Sequence, residues 1–213
     1  MILDLGTGDG RAVLRRARRE PSTLVVGVDA DGAAMRRASL RAARPLRKGG
    51  LPNALFLVAT AAELPGPLAG MVEQLTVVLP WGSLLRALVQ AEAELLDGLR
   101  ACLRGEGELE LLLSVQPIDR SLNLPVLDHS AVRQLQAAYG RHGLQPQETR
   151  QADGRDVERL GSSWARRLAI PDRRPAWLLR FARKEEPREG EGASVQANPA
   201  PRDAAPAPLT MET

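Results

Sequence analysis

Asp4-Leu5-Gly6-Thr7-Gly8-Asp9-Gly10-Arg11 is the stretch that decides how this chain folds. Before it, Ile2 to Leu5 is a short apolar run of the kind that forms a buried strand, and after it the sequence becomes helical. Glycines accept positive φ angles and let a ligand approach the backbone closely. The helix that follows offers unpaired N–H groups at its amino end. The order of strand, glycine turn and helix therefore predicts a nucleotide or nucleoside site.

A carboxylate at the end of the second apolar run extends this prediction. Leu24 to Asp29 is typical of a buried strand, and Asp29 at its tip can accept both hydroxyls of a ribose held over the glycine turn. Asp4 and Asp9 flank the turn, where they would repel the pyrophosphate of a dinucleotide. They suit instead a ligand with a cationic amino-acid end, such as S-adenosylmethionine (SAM), which carries a ribose, an ammonium and a sulfonium. The alternative is that Asp9 only caps the helix.

The hydrophobic pattern predicts an α/β fold. Apolar runs alternate with helical segments in a chain that is 44% hydrophobic, which favours a mostly parallel sheet with helices on both faces. We predict a Rossmann-like SAM-dependent methyltransferase fold with seven strands, at residues 2–5, 24–29, 54–59, 75–79, 108–115, 145–151 and 177–183. The predicted helices cover residues 11–19, 33–43, 84–103 and 131–142. Ligands of such sheets bind at the carboxyl ends of the strands, where the glycine turn, Asp29, residues 61–63 and residues 80–83 all lie.

The composition predicts one domain followed by a tail. Residues 1–184 form the predicted methyltransferase domain, and residues 185–213 are mostly Pro, Ala, Glu and Gly without periodicity, which is typical of disorder. The sequence shows no signal peptide and no apolar run of membrane-spanning length, so we expect a cytoplasmic protein without a membrane partner. The single cysteine, Cys102, excludes an internal disulfide, and the two histidines have no partners at metal-ligand spacing. We therefore predict no metal site.

Basic residues are concentrated in the first quarter of the chain. Residues 11–50 contain eleven basic residues and three acidic ones. A solvated face explains part of this excess, and a GC-rich genome explains why all the basic residues except Lys48 and Lys184 are arginines. A field of one sign over such a length fits a phosphate-backbone partner better. We therefore predict a nucleic-acid partner.

Four motifs make the sequence recognisable. They are Asp4 to Arg11, Lys48-Gly49-Gly50-Leu51-Pro52-Asn53, Pro80-Trp81-Gly82 and Ser163-Trp164-Ala165-Arg166-Arg167-Leu168. In this order they resemble the motifs of the 16S ribosomal RNA (adenine 1408, N1) methyltransferases, the kanamycin–apramycin resistance enzymes. Each motif is modest alone, but four in family order over residues 2–168 are specific. Residues 104–155 contribute little to the resemblance.

The resemblance implies a role for each matching residue. It implies SAM binding at Asp4, Gly6, Gly8 and Asp29, with further contacts at Ala61, Ala62, Glu63 and Pro80. It implies that Trp81 and Trp164 sandwich the flipped target adenine. It also implies a monomer that grips 16S rRNA in the assembled small ribosomal subunit through Arg44, Arg47, Lys48, Arg166 and Arg167. Such an enzyme confers aminoglycoside resistance.

The sequence departs from the family pattern at two places. Family members carry an Ala-Glu pair after the third strand, whereas here the register gives Ala61-Ala62, with Glu63 one position later. Family members also carry an amino-terminal β-hairpin and helix before the glycine turn, and this sequence begins at the strand. We expect either an upstream start or the loss of this RNA-docking element.

Core packing is the alternative role for each tryptophan. Trp81 lies between Pro80 and Gly82 in a predicted strand-end loop, and Trp164 lies in a polar segment, so base stacking is favoured for both. Trp177 alternates with apolar residues in the last predicted strand, and for it we predict a place in the core.

Other functions remain open at this stage. A transfer-RNA guanine-N7 methyltransferase has a similar architecture with a Pro-Trp loop, and a non-catalytic RNA-binding module with this fold is the alternative from outside the enzymes. A small-molecule methyltransferase would not need the basic face. Enzymes that methylate an exocyclic amine usually contain Asn or Asp followed by Pro-Pro and an aromatic residue. Enzymes that methylate a pyrimidine carbon need a nucleophilic cysteine within a motif. The sequence has neither feature.

Overall fold

The computed structural model describes residues 1–162, 165 and 167–184, without the side chains of residues 120–122. In this part of the chain, seven strands form one sheet and six α-helices cover it. The strands are β1 (Ile2–Leu5), β2 (Val25–Asp29), β3 (Ala54–Val58), β4 (Val72–Val78), β5 (Leu103–Leu113), β6 (Leu144–Gln151) and β7 (Trp177–Arg183). The helices are α1 (Arg11–Arg19), α2 (Gly32–Ala42), α3 (Gly82–Gln90), α4 (Ala93–Cys102), α5 (His129–Arg141) and α6 (Gly154–Leu160). The predicted tail, residues 185–213, lies outside the described residues.

The sheet has the order β3-β2-β1-β4-β5-β7-β6. Strands β1 to β5 run parallel to one another, and β7 runs antiparallel to both β5 and β6. The prediction of a seven-stranded, mostly parallel sheet is confirmed. The chain builds outward from β1 to β3 and then returns to place β4 on the other side of β1. The strand order therefore reverses between β1 and β4, and ligands of open α/β sheets bind at such a reversal.

Alternation along the strands places the helices on both faces. Ile2 of β1 packs with Val13 of α1 and Ala38 of α2, whereas its neighbour Leu3 belongs to the larger cluster that includes Leu88 of α3 and residues of α4 and α5. Successive side chains of a strand point to opposite faces, so this alternation is what the pleat requires. A fully buried leucine of this kind contributes roughly 1.5–3 kcal/mol.

One predicted helix is wrong. We predicted a single helix over residues 84–103, but the structure has α3 and α4 with a break at Ala91, which adopts a left-handed conformation with φ 52°. The Ala91 N–H ends α3 by donating to the carbonyls of Ala87 and Leu88. Both helices are amphipathic with the same period, and no Gly or Pro marks the break, so the pattern of apolar residues does not reveal it.

The structure also contains a helix that the sequence did not predict. The predicted helices end at residue 142, but α6 forms between the sixth and seventh strands, over Gly154–Leu160. Asp153 accepts from the backbone N–H of Asp156, and Asp156 accepts from that of Asp153, which forms a capping box. Reciprocal caps of this kind satisfy two of the otherwise unpaired groups at a helix start. They stabilise a helix that has only seven residues.

Candidate active site

The three glycines of the turn have different surroundings. Gly6, Gly8 and Gly10 all have positive φ angles, of 71°, 59° and 69°. A Cβ on Gly10 would lie 2.5 Å from Phe56 Cε1 and 2.7 Å from Ala38 Cβ, so this glycine lets α1 start close to β3 and α2. A Cβ on Gly8 would have no atom within 4 Å, so its backbone faces open space. Gly10 therefore serves packing, and Gly8 is the glycine that a ligand can approach.

Asp29 is tied directly to the glycine turn. Its Oδ2 accepts from the backbone N–H of Gly8 at 2.7 Å, and its Oδ1 accepts from that of Asp31 at 2.9 Å. These two bonds fix the plane of the carboxylate at the carboxyl end of β2. Each carboxylate oxygen has a second lone pair, so the group can still accept from further donors. The arrangement fits the acid that receives ribose hydroxyls.

Asp4 is buried beneath the turn. Its side chain is 8% exposed, and it accepts from the hydroxyls of Thr7 at 2.7 Å and Thr76 at 3.1 Å. Burial raises the pKa of this carboxyl, and the two hydroxyl donors partly oppose that rise. Thr7 belongs to the glycine turn and Thr76 to β4, so Asp4 links the turn to the neighbouring strand. In this structure its contacts hold the turn in place.

Two loops complete the same edge of the sheet. After β3, Ala61 is half-buried, Ala62 and Glu63 are exposed, and the Thr60 hydroxyl donates to Glu63 at 3.4 Å. After β4, Pro80 is buried, and the Leu84 side chain would lie 3.0 Å from a Cβ on Gly6. Leu84 belongs to the first turn of α3, so the start of α3, directly after this loop, packs against the glycine turn. Sequence reasoning did not select Leu84, because only the fold brings it to Gly6.

Trp81 extends from this second loop into solvent. Its side chain is 63% exposed, so the core-packing alternative is excluded. Leu79, two residues before Trp81, has a left-handed φ of 49°, a conformation that costs a non-glycine residue about 1–2 kcal/mol. Strained backbone of this kind concentrates at functional sites. By contrast, Trp177 is 5% exposed and donates from Nε1 to the Leu127 carbonyl at 2.7 Å, which confirms its place in the core.

These features fit SAM. The open backbone at Gly8 and the oriented carboxylate of Asp29 together form a cradle for a ribose. The acids Asp9 and Asp31 lie near this cradle and favour a ligand that carries positive charge. The predicted cofactor residues of the turn, of β2 and of the loops after β3 and β4 all lie at the carboxyl ends of adjacent strands.

The structure describes four of the five predicted RNA-binding residues. Arg44, Arg47 and Lys48 are exposed, and the last two belong to a 3-10 turn, Leu46–Lys48, that follows α2. Arg167 is also exposed. Trp164 and Arg166 lie outside the described residues, so their predicted roles stay predictions.

A buried ion-pair network supports the segment that leads to residue 164. Glu110 of β5 is 1% exposed, and it accepts from Arg159 of α6 at 2.9 Å and from Arg180 of β7 at 2.9 Å. Burial raises the pKa of Glu110, but the two arginines outweigh burial and hold it below the ordinary value. The network fixes α6 against the sheet. Sequence reasoning missed it, although an acid inside an apolar strand was a signal.

Metal-binding clusters and membrane-spanning helices are both absent from the described residues. In these residues no cluster of three or more His, Cys, Asp or Glu side chains is arranged to hold a metal ion. Among the described helices, none combines the length and the apolar character needed to cross a bilayer.

Comparison with known proteins identifies the family. Residues 1–182 match the family model of the 16S rRNA (adenine(1408)-N(1))-methyltransferases. The enzyme of that name from Streptoalloteichus hindustanus is 40% identical over 173 residues, which cover 79% of this chain and 80% of the relative. The solved 16S rRNA methyltransferase KamB is 37% identical, with a TM-score of 0.77 over 86% of this chain and 87% of that chain.

A further solved relative contains the cofactor. It is a variant of the 16S rRNA (adenine(1408)-N(1))-methyltransferase from Catenulisporales acidiphilia with its cosubstrate SAM, and it is 32% identical. Its TM-score is 0.78, over 88% of this chain and 87% of that chain. The family match spans the glycine turn, both loops and all seven strands. This chain belongs to the 16S rRNA (adenine(1408)-N(1))-methyltransferase family.

Proposed function

We propose that this protein transfers a methyl group from SAM to N1 of adenine 1408 in helix 44 of 16S rRNA, and thereby confers resistance to kanamycin and apramycin. The observation that carries the proposal is the placement of an exposed Trp81 directly before α3, whose Leu84 packs on Gly6 of the glycine turn. A site for a ribose and a cation thus lies beside an aromatic face that is available to a base. Family membership supplies the identity of the base.

The cofactor is held by the turn and the acid of β2. Asp29 receives the ribose hydroxyls, and Gly8 leaves room for the ligand above the turn. Asp4 acts beneath them through Thr7, and Ala61 to Glu63 and Pro80 line the remaining walls. SAM, when bound, supplies a methyl group that is activated by its sulfonium.

The base is held by stacking. Trp81 and Trp164 clamp the flipped adenine, since extruded bases are held between aromatic side chains. The N1 atom of an unpaired adenine has a free lone pair, so these residues need not remove a proton and act mainly by orientation. Methylated N1 carries positive charge, and an indole face favours a cation by roughly 0.5–2 kcal/mol. Tryptophan therefore suits both the substrate and the product.

The RNA partner is 16S rRNA in the assembled small subunit. The exposed cations Arg44, Arg47, Lys48 and Arg167, together with Arg166, contact its phosphates. The protein acts as a monomer in the cytoplasm, where the ribosome is found. Residues 1–184 form the catalytic domain.

The proposal is tested by methylation of purified, unmethylated small ribosomal subunits, followed by primer extension across helix 44. N1 methylation blocks Watson–Crick pairing, so we expect a stop at adenine 1408 that requires SAM. Transfer RNA and protein-free 16S rRNA serve as parallel substrates. A stop at a guanine, or methylation of transfer RNA alone, would support a guanine-N7 enzyme instead. Salt-dependent RNA binding by folded protein that binds no SAM would indicate a non-catalytic RNA-binding module.

A further inference from the structure

A basic groove adjoins the glycine turn and is lined by residues of α1 and α2. It has a volume of about 750 Å³. Its described lining contains arginines from three separate parts of the chain, Arg11, Arg37, Arg41, Arg44 and Arg167. Two of them, Arg44 and Arg167, are among the predicted RNA-binding residues and lie more than a hundred residues apart in the sequence. The fold brings both to one groove, and Arg37 and Arg41 share it.

The arginines of α2 form a regular row. Arg37, Arg41 and Arg44 are spaced four and three residues apart, so they lie on one side of the helix and its end. The rise of a helix separates Arg37 from Arg41 by about 6 Å along the axis. All three are exposed, and within the described residues none of their side chains has an ion-pair or hydrogen-bond partner. Their charges are therefore available to a ligand.

Small residues of α2 beside these arginines keep the groove open. Ala34 and Ala38 belong to the same lining, and Ala38 is buried at 4% exposure. Alanines at these positions leave space for a chain to lie along the helix. The guanidinium forks above them match the geometry of phosphate oxygens.

The acids of the groove lie near Gly8, where Arg11 is paired with Asp9 at 3.5 Å, and the row of Arg37, Arg41 and Arg44 lies along α2 and past its end. These acids, Asp9, Asp29 and Asp31, belong to the part of the groove assigned to the ribose and the cationic groups of SAM. The row of arginines would repel a sulfonium and an ammonium, so the basic part does not suit the cofactor. It suits a chain of phosphates that approaches the same site.

We propose that Arg37 and Arg41 form, with Arg44 and Arg167, a phosphate-binding groove that holds the sugar-phosphate backbone of the substrate RNA next to the reacting adenine. The inference rests on the proposed function for the identity of that RNA. It adds a site on α2 to the loop of Arg47 and Lys48. The groove guides the strand toward the cofactor acids.

The test compares two double variants with equal loss of charge. R37Q/R41Q removes two groove cations, and R18Q/R36Q removes two exposed arginines of α1 and α2 that do not line the groove. Binding of each protein to purified small ribosomal subunits is measured over a series of KCl concentrations. The slope of log K against log salt is negative, and each lost phosphate contact should reduce its magnitude by about 1. We expect a decrease of about 2 for R37Q/R41Q and roughly none for R18Q/R36Q.

Calorimetry with SAM separates this proposal from the proposed function. SAM affinity should be unchanged in both double variants, and circular dichroism should show folded protein, since all four side chains are exposed. Equal salt slopes for R37Q/R41Q and wild type would refute phosphate binding in the groove. A loss of SAM affinity in R37Q/R41Q would refute it as well. The two proposals can also fail separately. If the wild type does not methylate subunits but R37Q/R41Q still shows the reduced salt dependence, the proposed function is refuted and the groove is supported.

Discussion

The backbone N–H of Gly8 donates to Oδ2 of Asp29 at 2.7 Å, across 21 positions of sequence. The bond joins the glycine turn to the end of the second strand, so it fixes the position of the Asp29 carboxylate relative to the turn. A carboxylate held by a backbone donor is already oriented before a ligand arrives. Such preorganisation lowers the cost of binding.

The first prediction concerns Asp29. Asp29→Ala removes the ribose acceptor and the partner of the Gly8 N–H, and hydrogen bonds to a charged group contribute about 1.5–3 kcal/mol. We expect SAM affinity to fall roughly tenfold to a hundredfold by calorimetry. Asp128→Ala is the control, because Asp128 caps α5 by accepting from the backbone N–H of Ala131 and does not line the cradle. It should lower stability by about 1 kcal/mol and leave SAM affinity nearly unchanged. Equal affinities for Asp29→Ala and wild type would refute the role of Asp29.

The second prediction separates two glycines of one turn. Gly10→Ala places a methyl group against Phe56 and Ala38 in a left-handed conformation, so we expect a loss of about 2–5 kcal/mol of stability in urea unfolding. Gly8→Ala meets open space and should cost only about 1–2 kcal/mol. Its methyl group would project toward the ligand, so SAM affinity should fall more than stability does. If Gly8→Ala binds SAM like wild type, the cofactor does not approach Gly8.

The third prediction concerns Trp81. Base–aromatic stacking contributes about 1–3 kcal/mol, so Trp81→Ala should lower methylation of small subunits at least about tenfold while SAM binding is retained. Trp81→Phe should keep more activity, because a smaller ring still stacks. Resistance to kanamycin and apramycin in an expressing bacterium should decrease in the same order.

Met71→Ala provides the matched control for Trp81. Met71 is 59% exposed and precedes the same strand, β4, at the edge of the sheet away from the site. It should leave both methylation and resistance unchanged. Full activity in Trp81→Ala would remove this residue from the mechanism.

The fourth prediction concerns the basic turn after α2. Arg47→Gln combined with Lys48→Gln should weaken binding to the small subunit. It should also reduce the magnitude of the slope of log K against log salt by about 2, because two phosphate contacts are lost. Arg18→Gln combined with Arg141→Gln removes the same charge from the ends of α1 and α5 and should leave the slope unchanged. An unchanged slope in the Arg47/Lys48 variant would exclude this turn from the RNA interface.

The fifth prediction is a pH dependence of stability. Hydrogen bonds from Arg150 lower the pKa of Asp156 to about 2, from an ordinary value of 3.8. A carboxyl with a lowered folded-state pKa stabilises the protein above its unfolded pKa and loses this contribution as the pH falls through the folded value. The contribution of Asp156, about 2 kcal/mol, should therefore be lost between roughly pH 5 and pH 2.

Urea unfolding over this pH range checks the prediction. Asp156→Asn should be less stable than wild type at pH 7 and should converge with it as the pH approaches 2. Glu158→Gln, at an exposed position of the same helix, should keep the full pH dependence of wild type. A constant difference between Asp156→Asn and wild type at every pH would show that the charge of Asp156 is not responsible.

The sequence predicted the strands and the core of the site because these depend on local patterns. Apolar runs and their flanking turns predicted seven strands, and the limits of β1 and β7 match the structure. The glycine turn and Asp29 were found because a positive φ favours glycine and because an acid ended an apolar run. The exposure of Trp81 agrees with its neighbours, a proline and a glycine in a strand-end loop.

Tertiary structure decided what depends on contacts between distant residues. The break at Ala91 has no local signal, because α3 and α4 share one amphipathic period and no Gly or Pro separates them. The bond from Arg159 to Glu110 joins positions 49 residues apart, and periodicity gives no information about such pairs. The groove that unites Arg37 and Arg41 with Arg167 likewise exists only once the chain is folded. Local sequence thus determined where the chain turns and what it can bind, whereas the packing of distant elements decided which charges meet, because electrostatic interactions depend on distance in space rather than along the chain.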